Sequence, residues 1–141
     1  MHEPATYTYD QISVGQSVQF DVEITEALVK QFAEISGDTN PLHMDQAYAA
    51  TTSFGGRIAH GLLSASFFSQ LVGMHLPGKN ALYLSQQLLF REPVHIGTRV
   101  TVCGTVVQKI DAARTIKIQT TVSDASARVC IDGEALVKLL A

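Results

Sequence analysis

The first part of the chain combines a strand pattern with a helix pattern. Apolar and polar side chains alternate over residues 18–24, a period of two that predicts a half-buried strand. Thr25 is then a typical helix N-cap, and the apolar stripe over residues 28–33 predicts a helix with one buried face. Gly37 is suited to end this helix in a left-handed conformation.

The middle of the chain holds an uncharged segment. Residues 58–78 contain no Asp, Glu, Lys or Arg, and the helix predicted over residues 60–75 is apolar on nearly every side. Two histidines, three serines, a glutamine and a proline make the segment a poor membrane span despite its length. We therefore expect a helix buried inside the protein and ended by Pro77 and Gly78.

The C-terminal half is a succession of strands. Apolar alternation predicts four of them, over residues 82–90, 100–107, 116–122 and 129–139. The apolar phase slips after Gly104, which is therefore the expected position of a bulge or a bend. Consecutive strands joined by short turns pair antiparallel. The pattern predicts a single α+β domain over residues 1–141, an antiparallel sheet wrapped round a long central apolar helix, which is the hot-dog fold.

Composition narrows the possible functions. The chain has 141 residues, the size of one domain, and its 46% apolar and 16% charged content excludes a disordered protein. A net charge of -3 argues against a nucleic-acid-binding surface. Cys103 and Cys130 form no disulfide or metal framework, and the N-terminus has no signal-peptide pattern. We expect a cytoplasmic protein that binds neither nucleic acid nor membrane.

Residues 36–45, Ser-Gly-Asp-Thr-Asn-Pro-Leu-His-Met-Asp, carry the first candidate chemistry. Pro41 disfavours a helical Asn40, which predicts a fixed turn that brings Asp38 and His43 to one pocket. An imidazole suits general base catalysis near neutral pH, whereas a carboxyl needs burial beside apolar neighbours to keep its proton. The alternative is a structural turn. A calcium loop is excluded, because an apolar residue stands where the third oxygen ligand belongs.

The second candidate is the segment from Arg57 to Leu63. Gly61 falls in the first turn of the predicted buried helix, where backbone N–H groups are unpaired and the helix dipole is positive. Such donors suit an oxygen atom that acquires negative charge. The alternative is that Gly61 only allows the helix to pack closely on the sheet. The adjacent His60 is interpreted as a core histidine.

Together the two segments resemble the MaoC-like family of R-specific enoyl-CoA hydratases, and in particular the single-domain members that feed polyhydroxyalkanoate synthesis. The likeness covers most of the chain. It is most specific at Gly-Asp-Thr-Asn-Pro-Leu-His-Met-Asp, residues 37–45, and at Ala-His-Gly-Leu-Leu-Ser-Ala-Ser, residues 59–66. The chain departs from the family at Gln46, where a proline is usual.

The resemblance implies roles for individual residues. Those it assigns are the catalytic pair Asp38 and His43, the pocket-shaping Asn40, the thioester-binding backbone N–H of Gly61, and Ser69 as a serine near the pair. Ser66 lies on a similar helical face and competes with Ser69. The implied reaction is reversible hydration of a trans-2-enoyl-CoA to the (R)-3-hydroxyacyl-CoA, with no metal or redox cofactor. The implied partners are an acyl-CoA substrate and a second copy of the chain, paired edge to edge in a homodimer.

Three alternatives share parts of this evidence. A hot-dog thioesterase would send water to the carbonyl carbon instead of the double bond. A dehydratase acting on acyl-carrier-protein thioesters would use the same chemistry, but the sequence shows no concentrated basic rim for an acidic carrier. A non-catalytic acyl-thioester binding module would not need Asp38 or His43. No GxSxG motif supports a serine hydrolase.

Overall fold

The computed structural model describes residues 2–141, within which there are four α-helices and five strands. The helices are α1 (Glu26–Ser36), α2 (Pro41–Met44), α3 (Gln46–Ala50) and α4 (Gly61–Gln70). The strands are β1 (Ser17–Glu23), β2 (Ala81–Phe90), β3 (Arg99–Ile110), β4 (Thr115–Ser123) and β5 (Val129–Leu139). All five predicted strands are present, and short 3₁₀ turns lie at Tyr9–Gln11 and Asp111–Ala113.

The strands form one antiparallel sheet in the order β1-β3-β4-β5-β2. Helix α4 packs against it, and the shared core contains Leu63 and Phe68 from the helix with Val102, Val122 and Ile131 from the sheet. The alternating positions of β4 are fully buried on one side, which is why its sequence pattern was so regular. The predicted arrangement of an antiparallel sheet around a central apolar helix is confirmed.

Helix α1 begins and ends where the sequence predicts. The Thr25 Oγ1 atom accepts a hydrogen bond from the Leu28 N–H at 3.2 Å, which satisfies one of the unpaired amides of the first turn. Gly37 has a φ of 76° and donates its N–H to the Ala33 carbonyl. This left-handed ending directs the chain away from the helix, so that the next residue, Asp38, starts a new segment.

The central helix is shorter than predicted. Its regular part ends at Gln70, and a wider π-helical turn follows over Leu71–His75. Leu71 lies so close to β3 that a Cβ atom on Gly104 would be 2.5 Å from its Cδ2 atom. Gly104 is therefore needed for close packing, and of its two predicted roles, a bulge or a bend, the bulge is wrong because Gly104 pairs in register with Val18 and Thr120. The register with β4 instead shifts between Val106 and Gln108. No helix within residues 2–141 is long and apolar enough to cross a membrane.

Strand β2 lies at one edge of the sheet and differs from the simple alternation predicted for it. Its register with β5 shifts between Tyr83 and Ser85, so the inward positions change phase along the strand. Apolar side chains are left exposed on it, namely Leu82, Leu84, Leu89 and Phe90. The edge strand thus presents unpaired backbone groups together with apolar surface.

Candidate active site

The turn after α1 fixes Asp38 through short-range hydrogen bonds. The Asp38 Oδ1 atom accepts the N–H of Asn40 at 3.1 Å, and the Asn40 Oδ1 atom accepts the N–H of Leu42 at 2.9 Å. Asn40 is thus the N-cap of α2, and Pro41 occupies its first position, where a preset φ favours a helix. The predicted fixed turn is present, but from Pro41 onward it is a helical turn. The Asp38 side chain is 47% exposed.

His43 lies on α2 with its ring against the segment that precedes α4. Its Nδ1 atom is 2.8 Å from the carbonyl oxygen of Ile58. Because a carbonyl only accepts, Nδ1 donates and the neutral ring keeps its lone pair on Nε2. Arg57 holds the backbone of His43, since its Nε donates to the His43 carbonyl at 2.6 Å. The Arg57 guanidinium is itself held by Glu26, whose Oε1 accepts from Nη1 at 2.6 Å. The orientation of the imidazole is thereby fixed, and the Nε2 lone pair is left free of this bond.

A second imidazole, that of His60, stacks beside the first. The ring centroids of His60 and His43 are 4.1 Å apart at an interplanar angle of 30°, and the Phe32 ring lies 4.9 Å from the His60 ring. The His60 Nε2 atom is 2.9 Å from the carbonyl oxygen of Asp38 and 4.0 Å from its Oδ2. The interpretation of His60 as a buried histidine holds, but its place beside Asp38 and His43 was missed. The available clue was its position next to Gly61.

The N-terminus of α4 presents unused hydrogen-bond donors. The amides of Leu63 and Ser64 donate to the His60 carbonyl, whereas those of Gly61 and Leu62 have no acceptor among residues 2–141. The Ser64 hydroxyl, one turn into the helix, is buried and also has no partner in the described structure. A Cβ atom on Gly61 would lie 2.7 Å from the Phe90 ring, so glycine lets this ring approach the helix end.

These groups share one cavity of about 690 Å³. Its polar lining includes Asp38, His43, His60, Gly61 and Ser64. Its apolar lining includes Phe32, Phe54, Ile58, Leu62, Phe90, Val94 and Ile131. A cavity lined mainly by apolar side chains, with a few polar groups among them, is typical of a small-molecule binding site.

The other predicted residues lie elsewhere. Asn40 acts through the α2 cap and does not line the cavity. Ser69 is exposed on α4 and does not line it either, so the structure does not bring this predicted residue into the cavity with Asp38 and His43 within one chain. Ser66 donates to the Leu63 carbonyl at 2.6 Å and is likewise outside the lining. Ser64 is the serine that the fold brings to the cavity, a choice that sequence spacing alone did not make.

Asp38, His43 and His60 also offer donor atoms within 4.8 Å of one another, a spacing that invites comparison with a metal site. A metal ion requires nitrogen lone pairs that converge on one point. Here two of the four imidazole nitrogens are already bonded to main-chain carbonyls, His43 Nδ1 to Ile58 and His60 Nε2 to Asp38. The arrangement therefore suits proton transfer better than metal ligation.

The antiparallel sheet and its central helix define a hot-dog domain, with a cavity lined by a carboxyl and two imidazoles at the helix N-terminus. The chain belongs to the MaoC-like family, because the family model described as MaoC like domain matches residues 10–127. The resemblance inferred from residues 37–45 and 59–66 is thus confirmed.

The relatives are similar along most of their length. The chain is 43% identical over 129 residues to an (R)-specific enoyl-CoA hydratase of Rhodospirillum rubrum, covering 92% of this chain and 89% of that one. It is 44% identical over 131 residues to a 3-hydroxybutyryl-CoA dehydratase of Methylorubrum extorquens, covering 93% and 83%. Among solved structures, an (R)-hydratase from Aeromonas caviae involved in PHA biosynthesis superposes with a TM-score of 0.89 at 41% identity, covering 91% and 97%. The predicted hot-dog fold is confirmed by this match.

Proposed function

We propose that the protein is an (R)-specific enoyl-CoA hydratase, an enzyme that reversibly adds water to a trans-2-enoyl-CoA to give the (R)-3-hydroxyacyl-CoA. The observation that carries the proposal is that Asp38 and His43 line the same cavity as the unpaired amides of α4. Hydration of an enoyl thioester needs a base for water, an acid for the α-carbon and a donor for the thioester oxygen. This cavity offers one group for each task.

His43 is the proposed general base. Its Nδ1–H donates to Ile58, so the bare Nε2 can take a proton from a water molecule held between His43 and Asp38. The resulting hydroxide adds to the β-carbon, and electrons move through the α-carbon into the thioester oxygen. General base catalysis of this kind contributes about 10²–10⁴ in rate.

The thioester oxygen is proposed to lie at the N-terminus of α4. The free Gly61 N–H donates to it as negative charge develops, with the positive end of the helix dipole behind. A donor of this type contributes about 10²–10³ in rate. The buried Ser64 hydroxyl lies one turn further along and adds a second donor to the same cavity.

Asp38 is the proposed acid, which gives a proton to the α-carbon and recovers it from His43 before the next turnover. The sequence argument expected burial of this carboxyl, whereas 47% of the side chain is exposed in the single chain. An acyl thioester in the cavity would cover it and exclude water, which favours the neutral form. Asn40 contributes by fixing the turn, and Ser69 stays a prediction from the family resemblance.

The test is an assay of crotonyl-CoA hydration in which the loss of enoyl absorbance measures the rate. Chiral analysis identifies the product, and a thiol-trapping reagent detects any free thiol. The parent should give the R product and no thiol. Asp38→Asn and His43→Gln should each lose at least about 10²-fold in kcat while their melting temperatures stay near the parent's. Release of thiol would point to the thioesterase alternative, and parent-like turnover by either variant would remove that residue from the mechanism.

The assembly is proposed to be a homodimer that pairs through β2. This strand is an open edge with exposed apolar side chains, which a second copy would cover. Light scattering at micromolar concentration should give twice the chain mass, and Leu84→Asp should shift it towards one chain. A parent protein that is monomeric under these conditions would contradict the proposal.

The biological setting is proposed from the relatives. An enzyme of this specificity in the cytoplasm would supply R-3-hydroxyacyl thioesters to polyhydroxyalkanoate synthesis, and the free thiols of Cys103 and Cys130 suit a reducing compartment. Co-expression with a polyhydroxyalkanoate synthase should increase polymer in cells fed fatty acids, and the His43→Gln variant is the matched control. Equal polymer with both proteins would refute this role.

A further inference from the structure

We propose that His60 is a positioning residue for the hydration reaction: one buried imidazole holds the main chain of Asp38 and supports the ring of His43. The inference rests on the proposed function, since it concerns the same site. The inference goes beyond the proposed function because it assigns a role to a residue that the acid–base mechanism itself does not use.

The first argument is the hydrogen bonding of the Asp38 turn. The bond from His60 Nε2 to the Asp38 carbonyl, at 2.9 Å, spans 22 residues and ties the turn to the start of α4. Every other hydrogen bond of residues 37–40 in the described structure joins partners no more than four positions apart. Without the bond from His60, the turn that carries the carboxyl is held to the rest of the protein mainly through its flanking helices.

The second argument is the fixed orientation of the His60 ring. It is 2% exposed and contacts the His43 ring at 4.1 Å and the Phe32 ring at 4.9 Å between centroids. A ring held between packed neighbours loses little further freedom when it supports a reactive group. His60 therefore restrains two proton-transfer groups at once, one by a hydrogen bond and one by stacking.

The third argument is the tautomer. The Asp38 carbonyl only accepts, so His60 carries its proton on Nε2, while its buried Nδ1 has no partner in the described structure. His43 carries its proton on Nδ1 because of the Ile58 carbonyl. The two stacked histidines thus hold opposite tautomers. Since its N–H points to a backbone carbonyl, His60 has no N–H left for the substrate and acts through its neighbours.

The test uses two substitutions that separate the interactions. His60→Phe keeps an aromatic ring beside His43 but removes the donor to Asp38, whereas His60→Gln can keep a donor but removes the ring. We expect kcat for crotonyl-CoA to fall about 10- to 100-fold in His60→Phe with KM changed less than about threefold, because the groups are misplaced rather than lost. His60→Gln should recover part of that loss. The matched controls are the same two changes at His75. Its ring stacks on that of Phe20, with 4.9 Å between the centroids, and it does not line the cavity, so both control variants should keep the kcat of the parent.

Two readouts do not depend on activity. Long-range ¹H–¹⁵N spectra of the parent should show His60 as the Nε2–H tautomer and His43 as the Nδ1–H tautomer. The N–H groups of Asp38 and Asn40 are hydrogen-bonded within the turn, to Ser36 and to the Asp38 carboxylate. Their exchange should be about tenfold faster in His60→Phe than in the parent, because the long-range bond to this turn is lost.

Each result decides something. Parent-like kcat in a folded His60→Phe variant, unchanged amide exchange, or His60 found as the Nδ1–H tautomer would overturn the positioning role. If His60→Phe fails to fold, His60→Gln and the tautomers of the parent still decide the matter. Failure of the hydratase function would appear differently, as parent-like turnover in Asp38→Asn or no hydration by the parent, and the spectra and exchange rates would then judge His60 alone.

Discussion

The environment of Gly61 gives the sharpest prediction about the proposed catalytic site. In Gly61→Ala the new Cβ atom would lie 2.7 Å from the Phe90 ring, and an ordinary contact begins near 3.4 Å, so a displacement of about 0.7 Å is required. A misplacement of about 1 Å near reacting groups can cost about 10²-fold in rate. We therefore expect kcat/KM for crotonyl-CoA to fall about 10- to 100-fold.

The same substitution should have little effect on folding. The Phe90 ring is 54% exposed and can swing outward, and alanine is a better helix former than glycine. The melting temperature should therefore change by only a few degrees while activity falls, because the damage is local to the helix end.

A double-mutant cycle tests the cause. Phe90→Ala removes the ring that the Cβ atom meets, so adding it to Gly61→Ala should recover about fivefold in kcat/KM relative to the sum of the single changes, or about 1 kcal/mol of coupling. The assay is initial-rate hydration of crotonyl-CoA for all four proteins. If Gly61→Ala has parent activity, or if the two changes are strictly additive, the proposed crowding of the helix end is incorrect.

Three further predictions concern other groups. Ser64→Ala should lower kcat/KM about 5- to 20-fold because a buried hydroxyl at the cavity wall is lost, whereas Ser66→Ala, whose hydroxyl bonds only to its own helix, should match the parent in the same assay. Arg57→Lys should lower kcat several-fold with little change in KM, because one ammonium group cannot bond both the His43 carbonyl and Glu26 as the guanidinium does. A kcat equal to that of the parent would refute this prediction. Burial raises the pKa of Tyr9, with help from its bond to Asp111, and that of Tyr83, each from 10.0 to about 12. Below pH 10 the phenols are protonated in both the folded and the unfolded state. Between pH 10 and 12 the unfolded chain releases protons that the folded chain keeps, so the melting temperature should fall over that window. The fall should be less steep in Tyr83→Phe, which has one such phenol fewer.

Much of the fold could be predicted because its elements carry strong local patterns. The β4 strand alternates without interruption, and the Thr25 and Gly37 boundaries of α1 follow from the chemistry of helix ends. The misplaced bulge has a different origin. Gly104 is small because Leu71 packs on it, and a contact between residues 33 positions apart leaves no local pattern.

The site could be predicted only in part for a similar reason. Asp38, His43 and Gly61 stand in short motifs, so their proximity followed from the turn and the helix start. The role of His60 depends on its distance to Asp38 across 22 residues, and the choice of Ser64 over Ser66 and Ser69 depends on which face of α4 meets the cavity. The spacing of residues along the chain does not encode the distance between His60 and Asp38. It also does not encode which face of α4 meets the cavity, because this helix is apolar on nearly all sides.

The carbonyl oxygens that anchor the two histidines have a consequence for redesign. His43 and His60 are oriented by main-chain atoms of Ile58 and Asp38, so the identity of the Ile58 side chain is free of that task. The apolar walls contributed by Phe54 and Phe90 likewise take no part in holding the histidines. The apolar lining of the cavity could therefore be changed to admit larger ligands while the hydrogen bonds that orient the two histidines stay in place.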